Sequence, residues 1–263
     1  MRGLTRDTVV ELVDRKILWL FGVVTAVMLL IVYASGNIQT TFSGPSGTEE
    51  LDMSALNPHM LAMALDGMMS FLLFLTVLAT TGLIPKMLEK GRVDFYLSKP
   101  NSRSRLLLGK LAAMWAVYGG LMTACGALVF LVLCATHETF QVSLLYFFAI
   151  DLLLLFVWLS VVAVAGVLFN STVLTIMSTF VIWVLQTILS HHEQFGVFIK
   201  SKLVVNLIDA LYYVIPKHSQ IGDMAVALAT GTPVTDWLPL WSSLLFGLAM
   251  MYVAVVSFQR RNY

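Results

Sequence analysis

The stretch VSLLYFFAIDLLLLFVWLSVVAVAGVLFNSTVLTIMSTFVIWVLQTILS, residues 142–190, decides the fold of this chain. Its only charged residue is Asp151, and nearly all of its other residues are apolar. A transmembrane helix needs about 20 mainly apolar residues, so the stretch predicts two membrane spans. Only Asn170 and Ser171 separate them. So short a turn predicts an antiparallel helical hairpin within the membrane.

The composition of the whole chain is that of a membrane protein. Of its 263 residues, 59% are hydrophobic and 12% are charged, whereas soluble domains average roughly 45–50% apolar and about 25% charged residues. This composition excludes disorder, a disulfide scaffold and an ordinary cytosolic enzyme. The predicted spans are 17–35, 60–85, 111–134, 142–169, 172–190 and 238–258. The second and fourth are long enough to require tilt or a break. We therefore expect an all-α polytopic membrane protein with six spans in one transmembrane domain, residues 1–263.

The basic residues predict the orientation of the spans. With the N-terminus in the cytoplasm, all but three of the 16 Lys and Arg residues lie on the inner side, the exceptions being Lys200, Lys202 and Lys217. Basic residues prefer cytoplasmic loops, so both termini are expected inside the cell. The net charge of +1 gives no electrostatic reason to expect nucleic-acid binding.

Two segments outside the spans are predicted to be helical. Residues 1–16 have the pattern of an amphipathic helix that lies along the inner membrane surface, although a simple solvated lead-in is the alternative. The outer segment 191–237 predicts two short helices. Pro216 would end the first helix, and Ser219 would cap the second over 221–229.

The loop KMLEKGRVDFYLSKPNSRSRLLLGK, residues 86–110, is the only sizeable cytoplasmic loop between the spans. A short helix is predicted from Glu89 to Leu97, and Pro100 would stop it. Its exposed apolar edge consists of Val93, Phe95, Tyr96 and Leu97. Two interpretations stay open from composition alone. The edge docks a partner protein, or its aromatic side chains dip into the lipid headgroups.

The order of residues in this loop resembles that of the type-2 ABC transporter permease family. Members carry a loop of the form E-x-G-x-x-x-x-x-L-S-x-P-x-S-R…GK after their second span. The matching residues are Glu89, Gly91, Leu97, Ser98, Pro100, Ser102, Arg103, Gly109 and Lys110. The leading ELVDRKI stretch, the closing FQRRNY and the six-span layout also fit, so the resemblance covers essentially the whole chain.

This resemblance implies a role for each cytoplasmic segment. Residues 1–16 would be the elbow helix, and the loop 86–110 would contain a coupling helix that docks on a separate ATP-binding-cassette ATPase subunit. The residues implied to make or support this contact are Glu89, Gly91, Arg92, Asp94, Phe95 and Leu97. Members often carry Thr-Leu where this chain has Val93 and Asp94, a difference that concerns the choice of ATPase.

The resemblance also implies the assembly and the transported substrate. Six spans form half of a translocation pathway, so a second permease copy or a homologous permease would complete it. The complex would sit among the lipids of a prokaryotic cytoplasmic membrane and export a hydrophobic or amphipathic substrate near the second and fifth spans. The same apolar wall also suits a mechanotransmission role. The short outer helices within 191–237 would form the extracellular gate.

The chain lacks a phosphate-binding Walker loop of its own. Such a loop needs glycines followed by Gly-Lys-Ser/Thr. The only Gly-Lys pair, Gly109 and Lys110, precedes Leu111 and opens a span. We therefore expect no enzyme activity and no cofactor in this chain, with ATP and Mg²⁺ bound by the partner ATPase subunit.

Two carboxylates within the spans, Asp66 and Asp151, are candidates for the translocation pathway. Asp66 is placed in the outer third of the second span and Asp151 near the middle of the fourth. A carboxylate in a membrane is costly, and it usually faces a water-filled path or a protein interior. An ion-coupled secondary transporter that uses Asp151 is thus an alternative function, although no convincing internal repeat accompanies it. A membrane assembly factor without transport is a third possibility.

Two groups of residues were weighed as metal ligands. Thioether and imidazole groups at the outer end of the second span suit copper(I), but methionine is also an ordinary gap-filler between apolar helices. Adjacent histidines in the outer segment are weak evidence for zinc. The two groups are His59, Met60, Met63, Met68 and Met69, and His191, His192 and Glu193. No metal site is predicted.

Overall fold

A computed structural model describes most of the chain. The described residues are 8–11, 16–35, 39–44, 47–52, 58–89, 102–136, 142–190 and 202–260. Within them the helices are α1 (Ile17–Ser35), α2 (Pro58–Thr80), α3 (Leu83–Met87), α4 (Arg103–Thr136), α5 (Tyr146–Phe169), α6 (Thr172–Leu189), α7 (Lys202–Val214), α8 (His218–Thr230) and α9 (Leu238–Arg260). A 3₁₀ turn, Val142–Leu145, leads into α5.

Six stretches of the described residues are long and apolar enough to cross a membrane. They are spans 1 to 6: Ile17–Ala34, His59–Met87, Arg103–Thr136, Val142–Phe169, Thr172–Leu189 and Leu238–Arg260. The predicted fold class, an all-α polytopic protein with six spans, is confirmed. The words inner and outer below follow the orientation predicted from the basic residues.

The sequence analysis did not predict a small hairpin in the first outer loop. Strands β1 (Gln39–Gly44) and β2 (Gly47–Asp52) pair in antiparallel fashion. Gln39 is opposite Asp52, and Gly44 is opposite Gly47. The hairpin lies outside the six spans and leaves the helical architecture unchanged.

The long second span contains a break, one of the two features, tilt or a break, that its length predicted. Helix α2 ends at Thr80, a turn follows at Thr81 and Gly82, and α3 continues to Met87. The hydroxyl groups of Thr80 and Thr81 donate hydrogen bonds to the preceding carbonyl groups of Val77 and Leu78, each 2.7 Å long. Such side-chain bonds to the helix backbone favour bending. The break brings Glu89 to the inner end of span 2.

Span 3 begins earlier than predicted. Helix α4 starts at Arg103 rather than at residue 111, so the last part of the predicted loop 86–110 is helical. Ser102 precedes the helix, and its hydroxyl group accepts a 3.4 Å hydrogen bond from the backbone N–H of Arg105. This is the usual role of a serine at a helix start.

Span 4 lies at the centre of the bundle. It packs against spans 2, 3, 5 and 6 and against α8, and its mean hydropathy of 2.8 is the highest of the six spans. A helix that is apolar on all sides is stable in such a central position. Gly166 allows close packing on the inner part of span 2, since a Cβ there would lie 2.8 Å from the Cβ of Ile84.

Helix α8 begins one turn earlier than predicted. Ser219 is not its N-cap, because the helix starts at His218 and Lys217 holds the cap position without a side-chain cap bond. The backbone N–H of Lys217 donates instead to Ser243 Oγ of span 6 over 2.9 Å. This tertiary bond fixes the start of α8. Gly231, with φ of 73°, ends the helix.

Candidate functional site

A cavity of about 550 Å³ opens between span 2, span 5 and helix α8. We call it the outer groove. Its aromatic lining residues are Phe71, Phe74, Phe180 and Trp183, and its main polar lining residues are Asp66, Gln186, His218 and Asp223. The groove therefore combines an apolar wall with a polar, acidic part.

The aromatic wall is organised around Trp183 of span 5. The Trp183 ring is stacked on Trp158 with the ring centroids 4.4 Å apart. It also meets Phe74 edge-on at 5.0 Å and the His218 ring at 4.9 Å. Aromatic pairs at these separations attract each other beyond simple burial. Trp183 is thus held in place by span 2, span 4 and α8 together.

The acidic part of the groove joins Asp66 of span 2 to the second outer helix. The carboxylate of Asp66 lies against Gly222, where a Cβ would come within 2.9 Å of Asp66 Oδ1. The negative charges of Asp66 and the neighbouring Asp223 repel each other. Within the described part of the chain, neither carboxylate has an ion-pair partner.

Asp66 and Asp223 also connect the groove to a smaller cavity of about 230 Å³. His59 and Met63 line this smaller cavity as well. The two carboxylates therefore lie where the two spaces meet.

Two polar side chains in the groove have unsatisfied atoms. Gln186 is 4% exposed and His218 is 7% exposed. Among the described residues, Gln186 Oε1 and His218 Nδ1 have no hydrogen-bond partner. Burial lowers the pKa of His218 to about 4, so its imidazole is neutral at pH 7. Buried polar atoms without partners are rare, and both residues line the outer groove.

Asp151 lies apart from the groove. It is 5% exposed, and its Oδ2 has no hydrogen-bond partner among the described residues. In span 4, Val142–Phe169, it lies nearer to the middle, where the sequence analysis placed it, than to either end. It lines neither the outer groove nor the smaller cavity.

On the inner side, Glu89 is exposed just beyond α3. The other predicted ATPase-coupling residues lie outside the described residues. They are Gly91, Arg92, Asp94, Phe95 and Leu97. The zinc candidates His191, His192 and Glu193 also lie outside the described residues.

The described part of the elbow segment is tied to span 3. Residues 8–11 are helical, and Glu11 Oε2 lies 3.0 Å from Lys110 Nζ. The Lys110 side chain is 1% exposed and that of Glu11 is 14% exposed. The ion pair therefore links the short helix of residues 8–11 to span 3, about two turns after its start at Arg103.

The structure separates the residues weighed as copper ligands. His59 and Met63 line the smaller cavity, whereas Met60 is exposed and Met69 is buried in the core against Gly126. Within the described ranges, no group of three or more His, Cys, Asp or Glu residues is arranged to hold a metal ion.

Sequence reasoning selected Asp66 but missed most of the groove around it. Trp183 and Gln186 lie on an apolar span, and His218, Gly222 and Asp223 lie on an outer helix. None of them belongs to a local sequence motif, so the site can be recognised only once the packing of these distant segments is known.

The six spans and the groove between them define a multi-pass membrane protein with a cavity suited to a small molecule. The comparison with known families then identifies its class. The model of the ABC-2 family transporter protein matches residues 9–263, and the chain belongs to this family. It is therefore a membrane-spanning permease subunit of an ABC transporter. A search among curated proteins finds no significant match.

Proposed function

We propose that this permease subunit exports a hydrophobic or amphipathic substrate, driven by ATP that a separate ATPase subunit hydrolyses. The observation that carries the proposal is the outer groove, which holds four aromatic side chains and two carboxylates in one cavity. Its volume of about 550 Å³ falls within the range of about 300–1,000 Å³ that is typical of small-molecule sites.

Span 2 supplies a physical link between the groove and the inner side. Asp66 lines the groove near the outer end of this span, and Glu89 follows its inner end. Close packing of Gly166 on Ile84 holds the inner part of span 2 against the central span 4. A displacement at Glu89 would thus be passed through packed helices toward the groove, because close-packed protein interiors transmit strain.

The ATPase would dock on the loop that follows Glu89. By the family resemblance, the docking residues are Glu89, Gly91, Arg92, Asp94, Phe95 and Leu97. ATP and Mg²⁺ would be bound on the ATPase subunit. This assignment gives the exposed Glu89 carboxylate a partner on the cytoplasmic side.

A second permease, either a copy of this chain or a homologue, would complete the pathway. Span 5 exposes large apolar side chains, among them Val173, Met177 and Val181. Apolar surface of this kind is covered by lipid or by another membrane helix. We place the assembled complex in the cytoplasmic membrane of a prokaryote.

Copurification from native membranes tests the coupling to an ATPase. The tagged full-length chain is compared with a variant that carries Glu89→Arg and Leu97→Asp. A matched control carries the same two changes on the outer side, Glu49→Arg and Leu51→Asp in β2. Copurified chains are identified by mass spectrometry, and ATP hydrolysis is measured.

The proposal predicts that an ATPase subunit copurifies with the wild type and with the outer control. The Glu89→Arg, Leu97→Asp variant should lose that subunit and its ATP hydrolysis while its membrane insertion is unchanged. The absence of any ATPase subunit from the wild-type preparation would contradict the proposal.

A further inference from the structure

We propose that the outer groove binds a lipophilic organic cation, a quaternary ammonium or phosphonium ion with apolar substituents. This inference rests on the proposed function, because it names the substrate class of the same cavity. Three features of the groove carry it: its charge, its unsatisfied acceptors and its aromatic wall.

Among the described residues, the charge of the groove has no counterion. Asp66 and Asp223 repel each other, and the residues that line the groove include no Lys or Arg. The nearby Lys217 is used elsewhere, since its Nζ lies 3.0 Å from Ser242 Oγ and 4.6 Å from the centre of the Tyr212 ring. A bound cation would relieve the repulsion between the two carboxylates.

The unsatisfied atoms of Gln186 and His218 point independently to a ligand. Both side chains are more than nine-tenths buried and line the groove. Among the described residues, nothing donates a hydrogen bond to Gln186 Oε1. A buried acceptor without a partner costs free energy. The polarised C–H groups around the charged atom of a quaternary ammonium or phosphonium ion would satisfy it.

The aromatic wall selects an organic cation over a metal ion. The faces of aromatic rings attract cations that have lost part of their hydration, and Trp is the most effective ring. Trp183 is held in position by its stack on Trp158, so it forms a rigid surface for apolar substituents. A metal ion would instead need several ligating groups, and the described residues offer no group of three His, Cys, Asp or Glu.

The inference can be tested on the wild-type protein by comparing its binding of two ions that have the same shape and opposite charges. The full-length permease in nanodiscs is dialysed against radiolabelled tetraphenylphosphonium or tetraphenylborate, with empty nanodiscs as the blank. We expect saturable binding of tetraphenylphosphonium and no saturable binding of tetraphenylborate. Equal binding of the two ions, or no saturable binding of the phosphonium ion, would overturn the inference.

A pair of variants locates the site. Asp66→Asn with Asp223→Asn should weaken tetraphenylphosphonium binding by at least about tenfold, because both charges of the groove are removed. Asp209→Asn is the matched control, since Asp209 lies on α7 and lines neither the groove nor the smaller cavity. Unchanged affinity in the folded double variant would overturn the assignment to this groove.

The outcomes separate this inference from the proposed function. Binding by the isolated permease does not require the ATPase. If the phosphonium ion fails to bind while an ATPase subunit still copurifies, the substrate class is wrong and the coupling stands. If the ion binds and no ATPase copurifies, the cation site stands and the ATP-driven function is wrong.

Discussion

The carboxylate of Asp66 in span 2 lies directly against Gly222 in helix α8. A Cβ at Gly222 would approach Asp66 Oδ1 to 2.9 Å and Oδ2 to 3.1 Å, which is closer than ordinary van der Waals contact. Glycine therefore lets the outer helix close over this part of span 2. The contact also determines where the Asp66 charge lies within the groove.

Replacing Gly222 by alanine should displace that charge without weakening the fold. Alanine favours a helix over glycine by roughly 1 kcal/mol, and the end of the Asp66 side chain is able to shift. We expect Gly222→Ala to lower the affinity for tetraphenylphosphonium several-fold, as measured by equilibrium dialysis, with no loss of thermal stability in detergent.

Gly22→Ala is the matched control for this prediction. Gly22 lies in span 1 away from the groove lining, and no atom lies within 4 Å of a Cβ built there. Its substitution should leave the affinity unchanged. Equal losses of affinity in the two variants would show that the Asp66–Gly222 contact has no special role.

The helical spans could be predicted from sequence because each depends on the local composition alone. Residues 142–169 form span 4 with the predicted bounds, and Asn170 adopts the left-handed conformation, φ 48°, in the turn after it. The length of span 2 predicted either tilt or a break, and the structure has a break after Thr80. By contrast, strands β1 and β2 consist mainly of polar residues and glycines without a clear apolar alternation, so their pattern does not distinguish them from a loop.

The outer groove could be predicted only in part. Asp66 was selected because a carboxylate within an apolar span is costly wherever it points. Its neighbours Gly222 and Asp223 are far away in the sequence, and their proximity depends on how α8 packs on span 2. The position of Asp151 inside the core, away from the groove, likewise depends on which side of span 4 faces its neighbours.

The buried ion pair between Lys110 and Glu11 should make a non-additive contribution to stability. The two charged atoms are 3.0 Å apart, and removal of one member of a buried pair typically costs about 3–5 kcal/mol. We expect Lys110→Met to lower the free energy of unfolding by up to this amount. The double variant with Glu11→Gln should lose much less than the sum of the two single losses.

Denaturant unfolding of the four proteins in detergent measures this coupling. Lys86→Met provides a control, because the described residues give Lys86 no ion pair. Strictly additive losses from Glu11→Gln and Lys110→Met would contradict a coupled pair between the elbow and span 3.

The neutral His218 should make the protein less stable in mild acid. Burial lowers its folded-state pKa to about 4 from the ordinary value of 6.5, so between these values the unfolded chain binds a proton that the folded chain does not. The contribution of the neutral His218 imidazole to the free energy of unfolding is therefore fully present above pH 6.5 and is lost as the pH falls toward 4. The loss amounts to at most about 1.4 kcal/mol per pH unit.

His218→Phe isolates this contribution, because it keeps a ring beside Trp183 and leaves Asp66 and Asp223 in place. The unfolding free energies of both proteins are compared at pH 7.5 and pH 5. The variant should lose less stability than the wild type over this interval. An identical loss of stability in the two proteins would show that protonation of His218 does not cause the destabilisation in mild acid.

Gly166 should be intolerant of a side chain where span 4 meets span 2. A Cβ would lie 2.8 Å from Ile84 Cβ, an atom that moves only with the backbone. We expect Gly166→Ala to lower the free energy of unfolding by about 1–3 kcal/mol, as overpacking usually does. Gly120→Ala is its control, because no atom lies within 4 Å of a Cβ there. A loss of stability that is no larger for Gly166→Ala than for Gly120→Ala would contradict the close packing.

The most direct test of the account is ATP-driven transport of a lipophilic cation. Radiolabelled tetraphenylphosphonium is supplied to inverted membrane vesicles that contain the native complex, with ionophores present to collapse proton and sodium gradients. We predict uptake that requires ATP, persists with the ionophores and is lost with Asp66→Asn and Asp223→Asn. Uptake that requires an ion gradient and proceeds without ATP would contradict the account and favour a secondary transporter.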